Sequence, residues 1–227
     1  MLLFLKNYQP FLIDPNKTPH LNDWLLDITG SLMIVFLMPL LMLLITFTIT
    51  KQLWTGFGIF IFLRFKSRAA LMKKYCVLIL INASYLVLLV FFLGWLLAPE
   101  TGRESVLNDM LPFENNGFIV VSRLLTLWLT LVMIGLLYLM VVFKLKSIGI
   151  TFAVIFAFNG ILYASARDAY FLPWWFPGKM LFLPVYWQQN IPLQFVNLVY
   201  ALETIVLFFL TKYVIKGIDF TVMRRKR

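Results

Sequence analysis

Five stretches of this chain, each about twenty residues long, carry no charged side chain except Asp27, Arg123 and Glu203. They run over residues 25–50, 76–97, 118–143, 148–166 and 193–211, and the second reads CVLILINASYLVLLVFFLGWLL. A hydrocarbon layer about 30 Å thick takes roughly 20 apolar residues per helical crossing. Backbone amides have no water to bond to there, so a single apolar stretch crosses as a helix. The expectation is an all-α, polytopic membrane helical bundle: one transmembrane domain over residues 1–227, with five transmembrane helices. Composition agrees, because 62% hydrophobic residues with 23 Phe and 7 Trp exceed what a soluble core holds. The opening MLLFLKNYQPFLI is divided by Lys6 and Pro10 and lacks a small-residue cleavage site. It reads as a short N-terminal membrane-associated helix, or the remnant of a lost one, rather than a signal peptide.

Charge orients the stretches. Residues 51–75 hold Lys51, Arg64, Lys66, Arg68, Lys73 and Lys74 with no acidic residue. Lys144 and Lys146 separate the third and fourth stretches, and residues 212–227 hold Lys212, Lys216, Arg224, Arg225, Lys226 and Arg227. If each stretch crosses once, these 14 of the 20 Lys and Arg share one side, which the positive-inside bias makes cytoplasmic. Asp14, Asp23, Asp27, Glu100, Glu104, Asp109, Glu114 and Asp168 fall opposite, leaving Asp219 as the one acidic residue inside. A net charge of +10 is accounted for by topology and anionic headgroups, so no nucleic-acid partner is expected.

The apolar start of the 51–75 loop, LWTGFGIFIFLRF, with Arg64 near its end and Lys66 and Arg68 just after it, fits an amphipathic helix at the inner interface. It serves either as a topology determinant or as a docking surface formed with Ser67, Lys73 and Lys74. The external segment, residues 167–192, contains Pro173, Pro177, Pro184 and Pro192 with Trp174, Trp175 and Trp187. Proline at that density prevents one long helix. The tryptophans read as an aromatic belt or as an extracellular gate.

A carboxylate in mid-bilayer costs roughly 2.5–3.5 kcal/mol on insertion scales. Glu203 should therefore face protein or water, or carry a proton. Asn197, Tyr200 and Thr204 recur at helical spacing with Glu203 at the edge of their stripe. They are candidates for interhelical hydrogen bonds or for a transport path, as is Asn159, which interrupts the fourth stretch beside Gly160. Ser122, Thr126 and Thr130 form a second small-polar stripe suited to helix packing. Arg123 lies a turn below the outer boundary, where its side chain is expected to snorkel to the headgroups. Its depth argues against pairing with Glu203.

One cysteine, Cys76, excludes an internal disulfide and a multi-cysteine metal site, and one histidine, His20, excludes His-pair zinc motifs. No metal site is expected. The chain has no G-x-x-x-x-G-K-[ST] phosphate loop, no G-x-S-x-G elbow and no adjacent Glu-Glu pair. It is therefore not itself a P-loop ATPase, and a catalytic role is disfavoured.

The order of features, an apolar stretch, then GFGIFIFLRFKSRAALMKK, then another apolar stretch, with the closing KYVIKGIDFTVMRRKR, resembles the small integral-membrane permeases of ABC-2 type transporters in Gram-positive bacteria. As a pattern the resemblance covers the chain from Leu25 onward. In residues it rests on Arg64, Lys66, Ser67 and Arg68 and on the basic tail. It implies a subunit of a dimeric permease in the bacterial plasma membrane, paired with an identical or different second permease. That pair would dock separate ABC ATPase subunits through Arg64, Lys66, Ser67, Arg68, Lys73 and Lys74. The chain would export a peptide, lipid or drug-like amphiphile, with ATP and Mg bound by the partner subunit and no cofactor of its own. Family members usually have six spans with both termini inside, whereas this chain has five stretches. The rival readings are a non-transporting immunity or sensor protein on the same scaffold, and a membrane enzyme acting on lipid-linked substrates with Glu203 or Asp168 as base.

Overall fold

The computed structural model describes residues 21–54, 68–96, 116–167 and 193–216, and among them every residue except Ser31, Lys146 and Ser147 is α-helical. The helices are α1 (Leu21–Gly30), α2 (Leu32–Trp54), α3 (Arg68–Leu96), α4 (Asn116–Leu145), α5 (Ile148–Arg167) and α6 (Leu193–Lys216). Four contain a segment long and apolar enough to cross a membrane: α2 over Ile34–Lys51, α3 over Ala69–Leu96, α4 over Phe118–Leu145 and α6 over Gln194–Lys216. The described apolar part of α5, Ile148–Ile161, is shorter. The described elements are thus all helical, with four helices long and apolar enough to span a membrane.

Helix ends follow local chemistry. The first apolar stretch does not run unbroken. It divides at Ser31, whose hydroxyl accepts from the Ile34 amide at 3.3 Å and caps α2. The turn between α4 and α5 is only two residues long. Lys146 takes a left-handed conformation with φ 54°, its amide donates to the Val142 carbonyl, and Ser147 caps α5 through the Ile150 amide. Several threonines return their hydroxyls to the carbonyl four residues earlier, among them Thr46 to Met42, Thr130 to Thr126 and Thr204 to Tyr200. That bond satisfies a hydroxyl where no water is present.

The core is built around α4, 72% of whose apolar segment is buried, against 17% for α6. Leu127, Leu131, Ile134 and Tyr138 fill the middle of the bundle. Gly135 lets neighbours approach closely, since a Cβ there would lie 2.8 Å from Ile79 Cγ2 and 3.0 Å from Met42 Cε. Small residues permit such approach where helices attract each other by packing rather than by excluding water.

Contacts fix the helix directions. Met42 meets Gly135 and Thr50 meets Tyr138, so α2 runs parallel to α4. Asn197 meets Thr126 and Thr211 meets Leu136, so α6 does too. Ser84 meets Trp128 and Ile79 meets Gly135, so α3 is antiparallel to α4. Phe47 meets Phe152 and Phe36 meets Asn159, so α5 is antiparallel to α2. These directions bring Lys51, Lys73, Lys74, Lys144, Lys146, Lys212 and Lys216, all exposed, to one end of the bundle. Lys73 and Lys74 belong to the opening turns of α3 rather than to a loop reaching residue 75, and Lys212 and Lys216 to α6 rather than to the tail. Long aliphatic stems let lysine remain helical while its ammonium reaches water.

Candidate functional site

The polar side chains inside this apolar bundle are its candidate site. At the end opposite the lysines, α4 and α6 are joined by a three-residue knot. Asn197 Nδ2 donates to Ser122 Oγ at 2.5 Å and to the Ser122 carbonyl at 3.2 Å, and its Oδ1 accepts from Thr126 Oγ1 at 2.7 Å. Ser122 and Thr126 are four residues apart on one face of α4, so a single amide reaches both. Further along the same pair, Thr211 donates to the Leu136 carbonyl at 3.4 Å. Tyr200 is completely buried between these two contacts. Thr204 stays within its own helix, donating to the Tyr200 carbonyl at 2.7 Å.

Asn159 plays a comparable part between α5 and α2. It is buried, and its Nδ2 donates to the Phe36 carbonyl at 3.3 Å. Trp128 bridges α4 to α3 through Ser84 at 3.0 Å, and Trp24 bridges α1 to α3 through the Gly94 carbonyl at 3.0 Å. The sequence marked the polar stripes but not these partners, which depend on how the helices align.

Arg123 corrects the expectation of a snorkelling side chain. It is wholly buried, and its Nη2 donates to the Thr29 carbonyl at 3.3 Å. Thr29 is the penultimate residue of α1, so its carbonyl is among those left without an intrahelical partner where the helix ends. A cation there also meets the negative end of the helix dipole. Because α1 packs over α4 at this end, the guanidinium lies beneath protein rather than at the headgroups. The signal that could have found this is the Gly30-Ser31 pair, which ends one helix and starts the next.

Glu203 does not join the knot. It lies six residues after Asn197, about 240° around the helix, and therefore on the other flank of the line through buried Tyr200 and half-buried Leu207. Its side chain is half-buried, and Oε2 is shielded with no hydrogen-bond partner. Since Asn197 and Thr211 bracket it against α4, Glu203 stands level with the middle of that helix. Among the described residues no group of three His, Cys, Asp or Glu side chains is placed to hold a metal ion.

Of the docking residues, Lys73 and Lys74 are exposed at the lysine-bearing end, whereas Arg64, Lys66, Ser67 and the side chain of Arg68 lie outside the described residues. Trp174, Trp175, Trp187, Asp168, the N-terminal segment and the tail beyond Lys216 lie outside them as well. No family model matches the chain, and no known protein or solved structure was found to be similar to it.

Proposed function

We propose that this chain is a membrane-spanning permease subunit of an ATP-driven exporter, with hydrolysis in a separate ABC ATPase subunit and α5 as the fifth crossing. The observation that carries the reading is the gathering of seven exposed lysines at one end of the bundle, with no acidic side chain among the described residues there. Such an end belongs in the cytoplasm by the positive-inside bias, and it offers an acidic soluble partner a docking face. In this reading Arg64, Lys66, Ser67 and Arg68 extend the face from the 51–75 segment, and the tail adds Arg224, Arg225, Lys226 and Arg227. ATP-driven closure of the partner would rock the helices to open an outward path. The cargo would be a peptide, lipid or drug-like amphiphile.

Affinity purification of the full chain from its native membrane, after mild crosslinking, tests the proposal. An ATP-hydrolysing protein should be recovered, and charge reversal at Arg64 and Arg68 together with Lys73 and Lys74 should reduce its recovery without blocking membrane insertion. Failure to recover any ATPase, or recovery unaffected by charge reversal, removes the reading. Orientation has its own test in Lys144→Cys combined with Cys76→Ala, which should react with an impermeant thiol reagent only after the cells are opened.

The second reading, a non-transporting immunity or sensor protein, draws on a different observation. Asn159, Asn197 and Thr204 all have their described hydrogen bonds inside the chain, as structural side chains would. It gains if the chain captures a peptide in the absence of any ATPase.

A further inference from the structure

Glu203 sits in a pattern of its own. Val199, Glu203, Val206, Leu210 and Tyr213 follow one another at intervals of four, three, four and three residues. This is the 3.5-residue seam that one helix offers another in left-handed packing. Val206, Leu210 and Tyr213 are exposed at 56%, 48% and 78%, and nothing described in this chain covers them. A lipid-facing seam needs no carboxyl, yet this one holds Glu203 half-way along α6 with Oε2 unpartnered.

Among the described residues nothing nearby completes that group. Asn197 is on the opposite flank with its amide engaged by Ser122 and Thr126, and the Thr204 hydroxyl is engaged by Tyr200. The described lysines are gathered at one end of the bundle, and Arg123 is buried against Thr29. No described cation of another copy would therefore reach this depth. In a twofold dimer about the membrane normal, however, each residue faces its own counterpart at equal depth. A carboxyl carrying its proton can donate and accept, so two of them can close a reciprocal pair once rotation of the half-buried side chain brings the shielded Oε2 to the seam. One polar position in an apolar seam also fixes register and partner number.

We propose that the Val199–Tyr213 seam of α6 pairs with the same seam of a second copy, Glu203 against the partner's Glu203. The pairing deepens the permease reading by naming the surface and the partner, but it requires no ATPase. Loss of ATPase recovery would remove the permease reading and leave this dimer standing, and the reverse also holds.

The test uses the full chain alone in lipid nanodiscs and vesicles. In a Cys76→Ala background, Val206→Cys and Leu210→Cys should form oxidant-induced dimers, whereas Leu198→Cys and Ile205→Cys, exposed on the opposite flank, should not. Dimer affinity, measured by dilution into lipid, should fall about tenfold in Glu203→Leu and little in Glu203→Gln, whose amide still donates and accepts. Leucine suits hydrocarbon and Glu203 Oε2 has no hydrogen-bond partner among the described residues, so Glu203→Leu should keep wild-type helicity and unfolding midpoint. A chain that stays monomeric at every lipid ratio, crosslinks that run through Ile205, crosslinks in native membranes to a different protein, or unchanged dissociation in Glu203→Leu would each overturn the pairing.

Discussion

Replacing Asn197 with leucine should loosen the contact between α4 and α6, and the structure sets the size of the loss. The amide makes three hydrogen bonds, at 2.5, 2.7 and 3.2 Å, to two residues of α4. An interhelical hydrogen bond in a membrane contributes about 0.6 kcal/mol on average, so the knot as a whole contributes roughly 2 kcal/mol. Some of that is recovered, because Thr126 keeps its bond to the Ser122 carbonyl at 3.0 Å and so is not left unpaired. Ser122 Oγ has no such substitute donor among its described contacts. The expected loss for Asn197→Leu is therefore about 1–2 kcal/mol. Reversible unfolding in mixed micelles, driven by a denaturing detergent and followed by helical circular dichroism, measures it. Ser122→Ala and the double variant complete a cycle, whose coupling energy should be about 1 kcal/mol. A loss near zero, or additive single variants, would refute the knot as a structural joint. Altered export with unchanged stability would then return Asn197 to a transport path.

Gly135→Ala should destabilise the bundle by about 1–3 kcal/mol, because Ile79 Cγ2 lies next to its own backbone and cannot swing away as Met42 Cε can. The same substitution in an Ile79→Ala background should cost little, as detergent titration of the pair would show. Lys146→Gly should move the other way, raising stability by up to about 1 kcal/mol, since glycine meets no Cβ penalty at φ 54°. Arg123→Leu should cost about 2 kcal/mol through loss of the charged bond to the Thr29 carbonyl. It should also speed cysteine labelling at Trp24→Cys, the α1 position buried against α3.

What the sequence disclosed follows from what hydrocarbon forbids. An apolar stretch that must satisfy its own backbone has the helix as its ordinary solution, so α3, α4 and α6 were legible as elements without any tertiary knowledge. Their ends were less legible. Lys73, Lys74, Lys212 and Lys216 look like boundaries on a hydropathy scale, but a helix ends only when its backbone bonds end, and lysine does not break them. The division at Ser31 was present as a Gly-Ser pair within an otherwise apolar stretch, where the cap outweighs hydropathy. Stripes were visible as spacing, but spacing says only that Asn197 and Tyr200 share a face. That Asn197 reaches Ser122 and Thr126 depends on α4 and α6 being parallel and in one register, and the registration comes from packing around Tyr138 and Gly135. Arg123 was misjudged for a related reason, since its depth alone says nothing about α1 packing above it.

The filled centre of the bundle bears on how any solute could cross. Leu127, Leu131, Ile134 and Tyr138 are at most 2% exposed, and the knot at Asn197 joins the two helices that would have to part. A solute moving past this chain would travel along its surface rather than through its middle. The α6 seam is one surface with a polar group at that depth, and in the permease reading a path would form where two copies meet at Glu203. The path and the pairing then stand on one residue, and the two substitutions there separate them. Glu203→Gln should preserve the dimer, and if it alters export into proteoliposomes that also hold the ATPase, the carboxyl acts on cargo as well as on its twin. Glu203→Leu should weaken the dimer about tenfold and lower export with it. Export that survives in a monomeric Glu203→Leu chain would mean the route does not run along α6 at all.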